Sequence, residues 1–125
     1  MSGVLILIVE DNPKNMRLIR DVLQFKGYQT LEADTGEAGI DVAKKEHPAL
    51  ILMDVQMPGM GGLEAMKVLK ADAATQQIPV IALTASAMKG DRERLLADGF
   101  DGYIAKPIDI KEFPKMVENF LEKQQ

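Results

Sequence analysis

Five short apolar runs rich in Val, Ile and Leu alternate along this chain with longer stretches whose apolar residues recur every three or four positions. This switching of period constrains the fold more than any other feature. Short apolar runs separated by amphipathic helices are what a parallel sheet covered on both faces requires, because each parallel strand needs a crossover before the next. The runs fall at residues 4–9, 29–33, 50–53, 80–83 and 102–105. The middle ones are continuously apolar, as for strands buried on both sides, whereas Gln29-Thr30-Leu31-Glu32-Ala33 alternates and reads as an edge.

Between the runs, one buried face per helix is traced by Ile19, Val22 and Leu23, by Gly39, Ile40 and Ala43, and by Leu63, Met66 and Leu69. A fourth helix is expected over 87–98, stopping at Gly99, and a fifth over 110–122 with Phe113, Val117, Phe120 and Leu121 inward. Asp11-Asn12-Pro13 and Asp109 mark helix starts, and Lys26-Gly27 marks a stop. Right-handed crossovers then leave an open, doubly wound α/β sheet of five parallel strands, and the flavodoxin-like order 2-1-3-4-5 suits that number.

The 125 residues suffice for one domain, expected to span 1–125, and no linker or repeat divides them. A net charge of −4 argues against a field-driven nucleic-acid or anionic-membrane binder. With no cysteine and one histidine, thiolate nucleophiles, most zinc sites and the Ser-His-Asp triad are excluded. The apolar run near the N-terminus is too short to span a membrane and has no basic region before it, so the expected location is the cytoplasm. Met1 and the polar ending Glu122-Lys123-Gln124-Gln125 suit a free-standing protein.

In such sheets ligands sit beyond the C-terminal strand ends, near the reversal of strand order between strands one and three. There the sequence places Glu10 and Asp11, Asp54, Thr84 and Lys106. Two unit negative charges about 5 Å apart repel by around 3 kcal/mol at an effective dielectric near 20, so a carboxylate triad calls for a cation beyond Lys106. Mg²⁺ fits, since it takes oxygen ligands through one or two carboxylates and accepts a phosphate oxygen. Asp54 is then placed to face a phosphoryl group, with Lys106 and Thr84 on its oxygens, and an ionised aspartate needs no general base to act as nucleophile.

Four segments carry a resemblance: Leu7-Ile8-Val9-Glu10-Asp11-Asn12; Asp54-Val55-Gln56-Met57-Pro58-Gly59 with the strand before it and the glycines after; Ile78-Pro79-Val80-Ile81-Ala82-Leu83-Thr84-Ala85; and Gly102-Tyr103-Ile104-Ala105-Lys106-Pro107. Over essentially its whole length the chain resembles the receiver domain of bacterial two-component response regulators, either a stand-alone receiver or one from a hybrid histidine kinase. The resemblance implies a CheY-like sheet and a phosphoacceptor switch, not an enzyme acting on external substrates. Asp54 would accept a phosphoryl group from a phosphohistidine on a histidine kinase or histidine phosphotransfer protein. Glu10 and Asp11 would hold Mg²⁺, Asp11 directly and Glu10 through water, with Asp54 and the backbone carbonyl of Gln56 completing the set. Thr84 and Lys106 would bind phosphate oxygens, and Ala85 would leave room for the donor. A cis Lys106–Pro107 bond is implied, as is a switch in which Thr84 moves and Tyr103 turns inward, remodelling the face of helix 4, strand 5 and helix 5 that meets an unknown downstream protein.

Each residue has a plainer reading on its own. Asp11 serves as a helix cap or turn former, Thr84 as a strand residue, and Lys106 as a snorkelling surface side chain. Asp54 resists this, because an acid directly after a buried strand must be solvated or paired. The Pro58-Gly59 segment reads as a turn, His47 as solvated, and the methionines as core filling. Phe100 is compatible with burial or with a partner surface, and Ala49 departs from the acid many receivers carry there. The rival functions are a Mg²⁺-dependent phosphotransferase or phosphatase on an external substrate, a flavin binder of the same topology, and an unphosphorylated scaffold. Gln56 stands where a phosphatase carries its second acid, and Glu10-Asp11 would repel a flavin phosphate.

Overall fold

The computed structural model describes residues 3–85 and 88–123. Five parallel strands, β1 (Leu5–Val9), β2 (Gln29–Ala33), β3 (Leu50–Asp54), β4 (Val80–Thr84) and β5 (Gly102–Ala105), form one sheet in the order β2-β1-β3-β4-β5. The helices are α1 (Pro13–Phe25), α2 (Gly36–Glu46), α3 (Gly62–Ala71), α4 (Lys89–Asp98) and α5 (Phe113–Glu122). Both the fold class and the strand order agree with the reading of the sequence.

Alternation along each strand divides the core into two layers. Leu7, Val9, Ile51, Met53, Val80 and Ala82 face one side, against Ile40 and Ala43 of α2, Ala65, Met66 and Leu69 of α3, and Leu95 of α4. Ile6, Ile8, Leu50, Leu52, Ile81 and Leu83 face the other, against Met16, Ile19 and Leu23 of α1 and Phe113 and Val117 of α5. All five positions of β3 and of β4 are buried, which explains their unbroken apolar runs. The alternating β2 lies at one edge, and Phe100 is 3% exposed beside Met66 and Leu95, filling the core rather than presenting a surface.

The element ends differ from expectation in ways that matter for the site. Strand β3 runs through Asp54 and β4 through Thr84, so both side chains stand on paired backbone instead of on loops, with Asp54 opposite Leu83 and Thr84 opposite Ala105. Helix α5 begins at Phe113 and not at Ile110. Pro114 has no N–H to donate to the Ile110 carbonyl, so the segment before it is a separate turn, capped by the Asp109 carboxylate accepting from the amides of Lys111 and Glu112. The expected α4 start at Ala87 lies outside the described residues. Asn12, rather than Asp11, caps α1: its side-chain oxygen accepts from the amides of Lys14 and Asn15, with Pro13 in the first turn.

Gly62, at the start of α3, lies where a Cβ would run into the carbonyl oxygen of Asp54, with the Asp54 carbonyl carbon and Val55 Cα each 2.9 Å away. The helix thus packs directly on the backbone that carries Asp54. Gly62→Ala should destabilise the protein by about 1–3 kcal/mol through this overlap, in spite of alanine's better helix propensity. Urea denaturation measures the loss, and a gain in stability would contradict the close approach.

Candidate functional site

Beyond the C-terminal ends of β1, β3, β4 and β5 the topology gathers the residues picked out from the sequence. The Glu10 amide donates to the Ala33 carbonyl at 3.0 Å, continuing the β1–β2 ladder by one residue and fixing where its side chain starts. The Lys106 amide donates to the Thr84 carbonyl at 2.7 Å, extending β5 in the same way. The Lys106–Pro107 peptide is cis.

One ligand oxygen each from Glu10, Asp11 and Asp54 lies within 4.8 Å of the other two. Glu10 is 1% exposed and Asp54 3%, whereas Asp11 opens to solvent. Lys106 reaches into the group, its Nζ 2.9 Å from Glu10 Oε1 and 3.2 Å from Asp54 Oδ2. Backbone amides supply the other donors: Asn12 to Glu10 Oε2 at 3.1 Å and Gln56 to Asp54 Oδ1 at 3.1 Å. The ammonium approaches Glu10 Oε1 without hydrogen-bond alignment, and among the described residues this oxygen is buried with no hydrogen-bond donor.

That oxygen, held only by its ion pair with Lys106, tests the fit of Mg²⁺. A buried carboxylate oxygen without an aligned donor is costly, and three clustered carboxylates against one ammonium leave negative charge uncompensated. A hard dication bound by oxygen meets both demands, so the donor set fits Mg²⁺.

Burial raises the Asp54 carboxyl above its ordinary value, and the Glu10 carboxylate beside it pushes in the same direction; the Gln56 amide and Lys106 only partly oppose this. Burial pulls the Lys106 ammonium down, but Glu10 and Asp54 outweigh it and leave the lysine above its ordinary value, so it is charged at neutral pH. Two repulsions on Asp54 across no more than 4.8 Å cost at least about 3.5 kcal/mol each at an effective dielectric of 20, and the Lys106 attraction returns about 5 kcal/mol.

Thr84 is buried at the end of β4, beside Lys106. Gln56 follows Asp54 with its amide turned to that carboxylate, so its structural contact with the site is through backbone. Tyr103 is half-buried on β5 against the layer formed with α2 and α3, and its hydroxyl accepts from Arg92 Nη1 of α4 at 3.3 Å. Sequence reasoning passed over Arg92, and it named Asn12 only as part of a helix start, not as the amide donor to Glu10. The Asn12-Pro13 pair did mark a helix start, and an Asx residue before proline is a capping signal; nothing in the sequence marks Arg92.

Five parallel strands in the order β2-β1-β3-β4-β5, with acids at the reversal of strand order and a lysine reaching in from beyond the edge strand, define a doubly wound, CheY-like α/β module. The chain belongs to the response regulator receiver domain family, whose family model matches residues 6–118. It is 47% identical over 116 residues to the polar-differentiation response regulator DivK of Brucella ovis, covering 93% of this chain and 94% of that one. The DivK of Brucella anthropi is 46% identical over the same length. Among solved structures, the receiver domain of a sensor histidine kinase from Pseudomonas aeruginosa superposes with a TM-score of 0.88 at 34% identity, covering 97% of this chain and 99% of that one. That crystal holds a magnesium ion coordinated in its active-site cleft. The chemotaxis protein CheY4 of Vibrio cholerae matches with a TM-score of 0.86 at 25% identity, covering 93% and 97%. The chain is therefore a DivK-like receiver of two-component signalling. No helix among the described residues is long and apolar enough to cross a membrane.

The raised Asp54 carboxyl makes a prediction about the metal-free protein. The folded state holds this proton more tightly than the unfolded chain, so stability from this group is greatest below the ordinary carboxylate range and falls as pH rises through the folded value. Asp54→Asn should flatten that fall and stabilise the metal-free protein at pH 7 by of order 1–2 kcal/mol, after discounting the solvent-screened Asp11. Thermal melts in EDTA across pH 4–8 measure it. A less stable variant at pH 7 would mean that Lys106 already over-compensates the cluster.

Proposed function

We propose that the whole chain, 1–125, acts as one receiver domain in the cytoplasm, whose Asp54 takes a phosphoryl group from a phosphohistidine on a histidine kinase or histidine phosphotransfer protein. The observation that carries this reading is the convergence of Glu10, Asp11 and Asp54 within 4.8 Å, with Lys106 2.9–3.2 Å from the two buried acids. In this reading Mg²⁺ is held by Glu10, Asp11, Asp54 and the Gln56 carbonyl, and when bound it neutralises charge on the acids and on the phosphoryl oxygens.

The chain's own groups do the rest. An oxygen of ionised Asp54 attacks phosphorus, the P–N bond to the donor imidazole breaks, and the imidazole nitrogen leaves with the bonding pair. Lys106, charged and already directed at Asp54, meets the negative charge on the transferred oxygens; Thr84, one strand over, hydrogen-bonds to another. The Gln56 amide keeps Asp54 oriented through Oδ1. The product is stoichiometric, an aspartyl phosphate later lost to water, so the protein promotes its own phosphorylation and dephosphorylation rather than turning over a separate substrate.

The new group adds charge and acceptor oxygens next to Thr84 and Lys106. The responding surface is that of α4, β5 and α5, through which the protein meets its downstream partner. Helix α4 suits such a role because only Leu95 among its residues is buried, and Arg92 ties it to Tyr103 of β5 through a hydrogen bond and a cation–π contact at 5.9 Å.

Incubation with acetyl phosphate and Mg²⁺ should add about 80 Da, one phosphoryl group, at Asp54 and nothing to Asp54→Asn. Label on another residue, or many turnovers per chain, would refute the assignment. Lys106→Ala should retain Mg²⁺ binding in calorimetric titration but lose the phosphorylation-dependent change in the amide spectra of α4 and β5. A variant that still responds fully would remove Lys106 from the role given to it.

A further inference from the structure

Helix α4 does not close against the strand ends beside it. A cleft of about 260 Å³ lies between Asp91 and Leu95 on the helix and Val55, Gln56, Leu63 and Thr84 on the other side. Leu95 is the one residue of α4 that is buried. A helix held by a single packed side chain is free to rock about it unless a second contact fixes its position.

Arg92 supplies that contact. Its Nη1 donates to the Tyr103 hydroxyl at 3.3 Å, and its guanidinium carbon lies 5.9 Å from the centroid of the same ring. Among the described residues Arg92 ion-pairs with no carboxylate, whereas Arg94, two positions on, meets Asp91 at 3.9 Å. An exposed guanidinium given to a phenol and to no acid is placed for that tyrosine. Tyr103 is itself half-buried on β5, packed against the layer that contains Leu95, and its strand leads directly into Lys106. Arg92 therefore ties the least anchored helix to the strand that carries the chain to the lysine of the site.

We propose that Arg92 is a positioning residue, a latch that holds α4 on β5 in the unphosphorylated protein and must release Tyr103 before the helix can settle over the cleft beside Thr84. The inference rests on the reading of Asp54 as phosphoacceptor and of α4 and β5 as the responding surface. At 3.3 Å the hydrogen bond is already long, so a relative shift of well under 1 Å by either partner breaks it. One exposed hydrogen bond and one exposed cation–π contact are each weak, and together they bias the resting arrangement by about five- to tenfold. That strength suits a switch. A much tighter tie would hold α4 against the charge of a phosphoryl group, and none would leave the response partly on without it.

Titration of the full chain with beryllofluoride, a stable stand-in for a phosphoryl group on Asp54, tests this in saturating Mg²⁺ by amide NMR. Arg92→Ala should bind it about five- to tenfold tighter than wild type, because less of the affinity is spent on opening the latch. Tyr103→Phe keeps the ring and loses the acceptor, so it should gain only part of that factor, and adding it to Arg92→Ala should gain nothing more. Arg92→Lys, which keeps a charge over the ring, should lie between wild type and Arg92→Ala. Any displacement of the α4 amides in free Arg92→Ala should fall on the line joining the free and beryllofluoride-bound positions of wild type. Displacement toward unfolded values and off that line would show a merely structural residue and overturn the proposal, as would additive effects of Arg92→Ala and Tyr103→Phe. Wild type that binds no beryllofluoride would refute the phosphoacceptor reading and the latch with it, whereas wild type that binds, with Arg92→Ala of equal affinity, would overturn the latch alone.

Discussion

Negative charge buried beside negative charge is the constraint around which this molecule is arranged. Glu10 and Asp54 are almost inaccessible to solvent, and they lie just past β1 and at the end of β3, strands adjacent in the sheet because the strand order reverses there. The compensating ammonium comes from beyond β5, separated from β3 by β4. A short cationic side chain could not cross that distance. Lysine does so on a largely buried aliphatic stem, and its backbone is pinned to Thr84 at the end of β4. Fold and site are the same problem at this edge: parallel pairing that buries both faces of β3 also delivers its terminal acid into a poorly solvated place.

The two acids next to that lysine are not equivalent. Asp54 Oδ1 accepts from the Gln56 amide and Asp54 Oδ2 meets the lysine at 3.2 Å, while Glu10 Oε1, deeper in the cluster, has only the ion pair with the same lysine at 2.9 Å. The cluster is therefore rigidly held and electrostatically incomplete, which is the condition in which a dication binds without reorganising the protein. Rigidity comes from β3 and β4, buried at every position, and from α3 packed through Gly62 onto the Asp54 carbonyl. Helix α4 is the least anchored of the five, with a single buried side chain. A charge change at the rigid edge is most easily relieved in the least anchored neighbour, and Thr84 and Tyr103 lie on the strands between them.

The sequence displays the strands well because burial on both faces leaves an unbroken apolar signature in β3 and β4, and an alternating one in the edge strand β2. It displays Asp54 equally well, since an acid directly after such a run must be solvated or paired, whereas Asp11 and Lys106 gain their meaning only from standing at neighbouring strand ends. What it conceals depends on contacts distant along the chain. The pairing of Lys106 with Glu10 spans nearly the whole protein, and the Phe100 side chain is placed by Met66 and Leu95 from two different helices. Helix ends are blurred for a local reason. Apolar spacing from Ile110 onward looks helical, yet Pro114 withholds the amide that would have joined the first turn to the rest. Asp109 remains a cap, but of a turn.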